Sequence, residues 1–108
     1  MRIVVTGASG FLGSTLIKRL RNDAETEIIA LSSSAAVAGE LRDGVMYYHK
    51  DAVFGELASE LLDGSVVVNC AYPRNSTGSA VADGLLYISR LFDACRACGA
   101  RAVINISS

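Results

Sequence analysis

The chain has 108 residues, 51% of them apolar, with 10 basic and 11 acidic side chains and a formal charge of −1. That length suits one compact domain and leaves no room for two. A pI near 5.7 and scattered Lys and Arg offer no basic patch to nucleic acid or an anionic membrane, and no apolar run is long enough for a secretory signal or a bilayer span, so the expectation is a cytoplasmic protein with neither partner.

In chain order, Arg2 to Thr6 (RIVVT) reads as a strand whose apolar residues run continuously, as a strand covered on both faces requires. Leu12, Leu16, Ile17 and Leu20 then recur at helical spacing. Gly7, Gly10 and Gly13 therefore sit in and just beyond the turn between a strand and a helix. Gly7 lets the chain leave the strand sharply, Gly10 admits a pyrophosphate close to the backbone, and Gly13 lets the helix pack against the sheet. The helix N-terminus adds free N–H groups and the positive end of its dipole. Three spaced glycines alone are weak evidence; in this context they predict dinucleotide binding.

A second strand, Glu27 to Leu31, ends on Ser32, Ser33 and Ser34, the place where an acidic side chain selects NAD and a basic one NADP. Serine donates to either ribose hydroxyl or phosphate, and the missing carboxylate removes a repulsion, so the reading is NAD or NADP with a lean to NADP. The connection from Leu31 to Val45 is compatible with a short helix or a loop. Val45 to His49 reads as a weaker strand at the sheet edge, Leu57, Leu61 and Leu62 as part of a helix, and Ser65 to Cys70 as a strand. A helix from about Ser79 to Cys98 carries two apolar stripes: Val81, Leu85, Ile88, Phe92 and Cys95, and beside it Tyr87, Leu91, Ala94 and Cys98. The first stripe is assigned to the sheet, leaving the second for a partner or for the rest of the fold. Ala102 to Ile106 is the last strand.

Strand and helix in alternation mean a parallel sheet built by right-handed crossovers. The predicted fold is a single Rossmann-type α/β/α domain over residues 1–108, with its five strands in the order 3-2-1-4-5. Cys95 and Cys98 form C-x-x-C with no second pair and no nearby histidine, so they read as small buried residues, and His49 alone is no metal site.

The spacing G-x-x-G-x-x-G, embedded in VVTGASGFLGS, resembles the extended short-chain dehydrogenase/reductases and more closely the NAD-dependent epimerase/dehydratase family, through Val5, Thr6, Gly7, Gly10, Phe11 and Gly13. Asp51, VVVNCAYP and VINISS match later family motifs in order, so the resemblance spans the whole chain. It implies that Asp51 meets the adenine, that Cys70, Ala71 and Tyr72 line the pocket near the ribose chiefly through backbone, and that Ser9, Leu12, Ala52 and Ser107 join the cofactor-binding set. Ser108 is implied as the catalytic serine that hydrogen-bonds the reacting oxygen of a nucleotide-sugar substrate.

The family's Tyr-x-x-x-Lys pair is absent: the lysines are Lys18 and Lys50, and four residues before them stand Ser14 and Met46. The chain by itself is therefore expected to be inactive, as the cofactor-binding half of a longer hydride-transferring enzyme or as a natural truncation. The alternative is a non-catalytic NAD(P)-binding module or regulator. Arg74 is a candidate contact for a substrate phosphate, with a solvated arginine as the alternative. Gly84 replaces a usual asparagine on the long helix, and Tyr87 and Ile88 replace a small pair. Family members commonly dimerise through this helix, which makes it a candidate homodimer surface. A sheet ending at its fifth strand is expected to leave apolar surface open to self-association.

Overall fold

Continuous apolar runs become the centre of one six-stranded sheet in a computed structural model that describes residues 1–35, 39–71 and 78–106, apart from the side chain of Ala80. The strands are β1 (Arg2–Thr6), β2 (Glu27–Ser32), β3 (Glu40–Arg42), β4 (Val45–His49), β5 (Val66–Asn69) and β6 (Ala102–Asn105). The α-helices are α1 (Phe11–Leu20), α2 (Ala58–Leu62) and α3 (Gly78–Ala97), with a 3-10 helix at Lys50–Phe54. The order across the sheet is β3-β4-β2-β1-β5-β6, parallel everywhere except between β3 and β4.

The five strands predicted from the apolar runs hold the predicted order, and the sheet is one strand wider. Val45–His49 was expected at the edge; instead β3 pairs antiparallel outside it. The cause is a two-residue turn at Asp43 and Gly44, with φ of 52° and 79°. Asp-Gly with both residues at positive φ is the hairpin chemistry that matches strand twist, and it folds the chain back on β4.

Successive side chains point to opposite faces, so β1 divides its valines between two cores. Val4 joins Ile29, Leu31, Val53, Leu61, Leu62, Val67, Leu91 and Cys95 on the face covered by the 3-10 helix, α2 and α3. Val5 joins Ala8, Ile17, Ile28, Ala30, Val45, Val68 and Cys70 on the face covered by α1. Each fully buried leucine or valine contributes roughly 1.5–3 kcal/mol, which makes the central strands the most strongly held part of the molecule. β6 stands apart: all four of its residues are exposed, and Ile104 keeps 50% of its surface open.

The long helix packs mainly by its second stripe, so that stripe is covered by the rest of the same fold. Leu91 is buried, with Tyr87, Ala94 and Cys98 packed against the same core; of the first stripe Cys95 is buried there too, whereas Leu85 is 58% exposed. The two stripes are similarly apolar, and their direction is decided by how the crossover after β5 docks on the sheet. Among the described residues no helix is long and apolar enough to cross a membrane.

Candidate functional site

The turn after β1 leaves no space for a side chain at Gly7 or Gly13. Gly7 has φ +64°, and a Cβ there would lie 2.7 Å from the amide nitrogen of Ala71 and 2.9 Å from the carbonyl carbon of Cys70. A Cβ at Gly13 would lie 2.2 Å from the carbonyl oxygen of Gly7, so α1 is seated directly on the turn. The Gly10 amide donates to the Gly7 carbonyl at 3.0 Å, and Gly10, in extended conformation, is the N-cap of α1 with no side-chain capping bond. The first amides of α1 therefore face the turn without a side-chain acceptor, as an anion site requires.

Beside this turn, at the carboxyl ends of β1, β2 and β5, lies a cleft of about 390 Å³. It is lined by Gly7, Ser9, Leu31, Ser32, Ser33 and Ala71 from the sheet end and the glycine turn, by Lys50 just beyond β4, and by Asp83, Gly84 and Tyr87 from α3. β1 has β2 on one flank and β5 on the other, so the cleft sits where the strand order changes direction, the usual ligand position of an open α/β sheet.

Of the residues named from sequence, the cleft gathers Gly7, Ser9, Ser32, Ser33 and Ala71. Ser32 is buried, and its hydroxyl accepts the Ser34 amide at 3.2 Å and lies 3.0 Å from the Ser34 hydroxyl, so Ser33 is the more open of the two lining serines after β2. Phe11 is 75% exposed beside the turn, and Leu12 packs against the core beneath α1. Ala52 and Cys70 are core residues, and burial pushes the Cys70 thiol up. Asp51 is exposed and is not among the lining residues; its amide donates to His49 Nδ1 at 3.1 Å, so His49 caps the 3-10 helix. Tyr72, Arg74, Ser107 and Ser108 lie outside the described residues. Among the described residues no three His, Cys, Asp or Glu gather as a metal site. Burial, with a smaller contribution from Cys98, pushes the Cys95 thiol up to about 11, which suits a core residue better than a reactive thiol.

Sequence reasoning missed Lys50 and Asp83 as cleft-lining residues, and a polar chain that runs from buried Thr6 and Asn69 to exposed Asn105. Thr6, Asn69 and Asn105 are register partners at the ends of β1, β5 and β6. The Thr6 hydroxyl donates to Asn69 Oδ1, which also accepts the Ala71 amide at 3.3 Å, and Asn69 Nδ2 donates to Asn105 Oδ1 at 2.8 Å. The available signal was a polar residue closing each of three apolar strands.

Where α3 meets the cleft, the Tyr87 hydroxyl donates to the Lys50 carbonyl at 3.0 Å, and the Lys50 ammonium sits 5.2 Å from the centre of the Tyr87 ring. The Tyr87 ring also meets Phe54 edge to face, with centroids 5.5 Å apart. Burial, reinforced by the charges of Asp51 and Cys95, raises the pKa of Tyr87 above the usual tyrosine value. The folded state therefore holds this proton more tightly than the unfolded chain does. The stabilisation is complete below about pH 10 and is lost as pH rises above it. Tyr87→Phe is expected to remove this alkaline loss and, at neutral pH, to cost about 1 kcal/mol for the lost hydrogen bond. Urea midpoints measured from pH 7 to 11 check both.

The model of the NAD dependent epimerase/dehydratase family matches residues 3–108. The chain belongs to the NAD dependent epimerase/dehydratase family. In fold this family member is similar to the UDP-N-acetylglucosamine 4-epimerase of Bacillus cereus, with 24% identity and a TM-score of 0.75 over 100% of this chain and 37% of that one. It is similar also to the UDP-glucuronic acid 4-epimerase of Bacillus cereus in complex with NAD, with 22% identity and a TM-score of 0.78 over 100% of this chain and 40% of that one. Uronate dehydrogenase of Agrobacterium tumefaciens matches at 21% identity and a TM-score of 0.75, over 99% of this chain and 40% of that one. The chain thus spans about two fifths of the length of these solved relatives. No curated protein matches it in sequence.

Proposed function

We propose that this chain is the cofactor-binding part of an NAD(P)-dependent enzyme that acts on a nucleotide-activated sugar. The observation that carries this reading is the glycine turn, where a Cβ at Gly7 or Gly13 would strike backbone, opening beside the uncapped start of α1 onto the cleft. These residues fit a dinucleotide: amides at the helix start receive the pyrophosphate, backbone at Gly7 and Ala71 forms a close wall, and Ser33 offers a hydroxyl at the ribose end. The bound nicotinamide supplies hydride transfer. The protein's part is to hold it with its reacting face toward substrate and to exclude water, with Ser108 polarising the reacting oxygen and Asp51 near the adenine.

The nucleotide-sugar assignment is supported by relatives whose names carry such substrates, two UDP-sugar epimerases among them. NADP is favoured over NAD in this reading because no carboxylate follows β2 at Ser32 to Ser34. A homodimer through α3 belongs to the same proposal; it would use the outer face that carries exposed Leu85 and Leu86. A cytoplasmic location is part of it as well.

The test is titration of the protein with NADPH and NADH, followed by nicotinamide fluorescence. Saturable binding of at least one is the expected result. Failure of both to bind would overturn the assignment of the cleft.

A further inference from the structure

On the assignment of the cleft to a dinucleotide, we infer that Lys50 is the residue that selects the cofactor, by placing its ammonium at the 2′-phosphate of NADP. The register carries this. β2 and β4 are parallel neighbours with Ser32 opposite His49, so Ser33 and Lys50 are the next residues out from two adjacent strand ends. Neighbouring strands lie about 4.8 Å apart, well within the reach of a lysine side chain. Both residues line the same cleft.

Lys50 is also fixed in place. Its carbonyl accepts the Tyr87 hydroxyl at 3.0 Å, and its ammonium lies over the Tyr87 ring, on the cleft side of α3. No acidic side chain stands at Ser32, Ser33 or Ser34 to repel a phosphate. The neighbouring carboxylates are Asp51, exposed on the 3-10 helix, and Asp83, which lines the cleft from α3. Among the described residues lining the cleft, Lys50 is the cation available to a phosphate beside Ser33. A ribose hydroxyl presents no charge to it, whereas a 2′-phosphate presents up to two, so Lys50 discriminates between the cofactors as a point charge.

The protein, its Lys50→Gln variant and its Lys50→Arg variant are titrated with NADPH and NADH by nicotinamide fluorescence at fixed, low ionic strength. NADPH is expected to bind the parent chain more tightly than NADH. Lys50→Gln is expected to weaken NADPH about tenfold while leaving NADH unchanged, and Lys50→Arg to keep the preference. Binding of both cofactors with no NADPH preference, or a Lys50→Gln loss that is absent or equal for the two, overturns the role of Lys50 and leaves the cleft assignment standing. Binding of neither cofactor by the parent chain overturns the cleft assignment and this inference with it.

Discussion

Gly13→Ala is expected to destabilise the fold and to remove cofactor binding, although alanine is the better helix former. The substitution favours α1 intrinsically by about 1 kcal/mol. Against this stands a methyl group 2.2 Å from the Gly7 carbonyl oxygen and 3.0 Å from the Ala8 Cα, both held by the turn. Overpacking against atoms that cannot yield costs typically about 1–3 kcal/mol, and a clash this deep belongs at or above the top of that range. Backbone wins over propensity, and the net loss is about 2 kcal/mol. Relief comes only by moving α1 off the turn, which carries its first amides away from the cleft. NADPH and NADH affinities should therefore fall more than tenfold even where the variant remains folded. Gly78→Ala is the control, since nothing lies within 4 Å of its Cβ position, and its change in stability should be under about 0.5 kcal/mol. Urea unfolding followed by circular dichroism, with cofactor titration, measures both; a Gly13→Ala variant as stable as the parent would refute the seating of α1 on the turn.

The second large effect is expected at Asn69. It is fully buried and serves three groups through one amide: the Thr6 hydroxyl, the Ala71 amide and Asn105 Oδ1. Asn69→Leu is close in volume and fills the site, yet it leaves the buried Thr6 hydroxyl without its acceptor. An orphaned buried polar group costs roughly 1–3 kcal/mol, so with the looser partners included the loss should be about 2–4 kcal/mol. Removing the orphan together with its partner should restore much of this, because an apolar pair of similar shape carries no desolvation penalty. The Thr6→Val, Asn69→Leu double variant is therefore expected to be more stable than Asn69→Leu alone. A double-mutant cycle by urea unfolding checks it. Additive losses would mean that the two residues do not act as a pair.

Much of this site was legible because its chemistry is local. Gly7, Gly10 and Gly13 lie within seven residues, and Gly7 and Gly13 each meet backbone of the turn itself or of the neighbouring strand end. Strand order was legible for a related reason: continuous apolar runs announce strands covered on both faces, and crossover handedness leaves few ways to arrange them. The missed edge strand shows the limit. Asp43 and Gly44 carry a hairpin signal, but Glu40–Arg42 is short and exposed, one leucine between two charged residues, and three residues have no periodicity to read.

The sequence by itself determined the parallel α/β architecture, the glycine turn and the family, because these rest on hydrophobic continuity and on backbone freedom at single positions. Only the tertiary structure decided that α3 meets the core mainly by its second stripe, with Cys95 of the first, since both stripes are apolar and the choice depends on how the helix docks after β5. It alone joined Thr6, Asn69 and Asn105 into one chain of hydrogen bonds across residues up to 63 positions apart. It alone brought Lys50 beside Ser33 and Tyr87 into the same cleft, because register between parallel strands and the docking of a distant helix are products of the packed sheet and leave no local pattern in the chain.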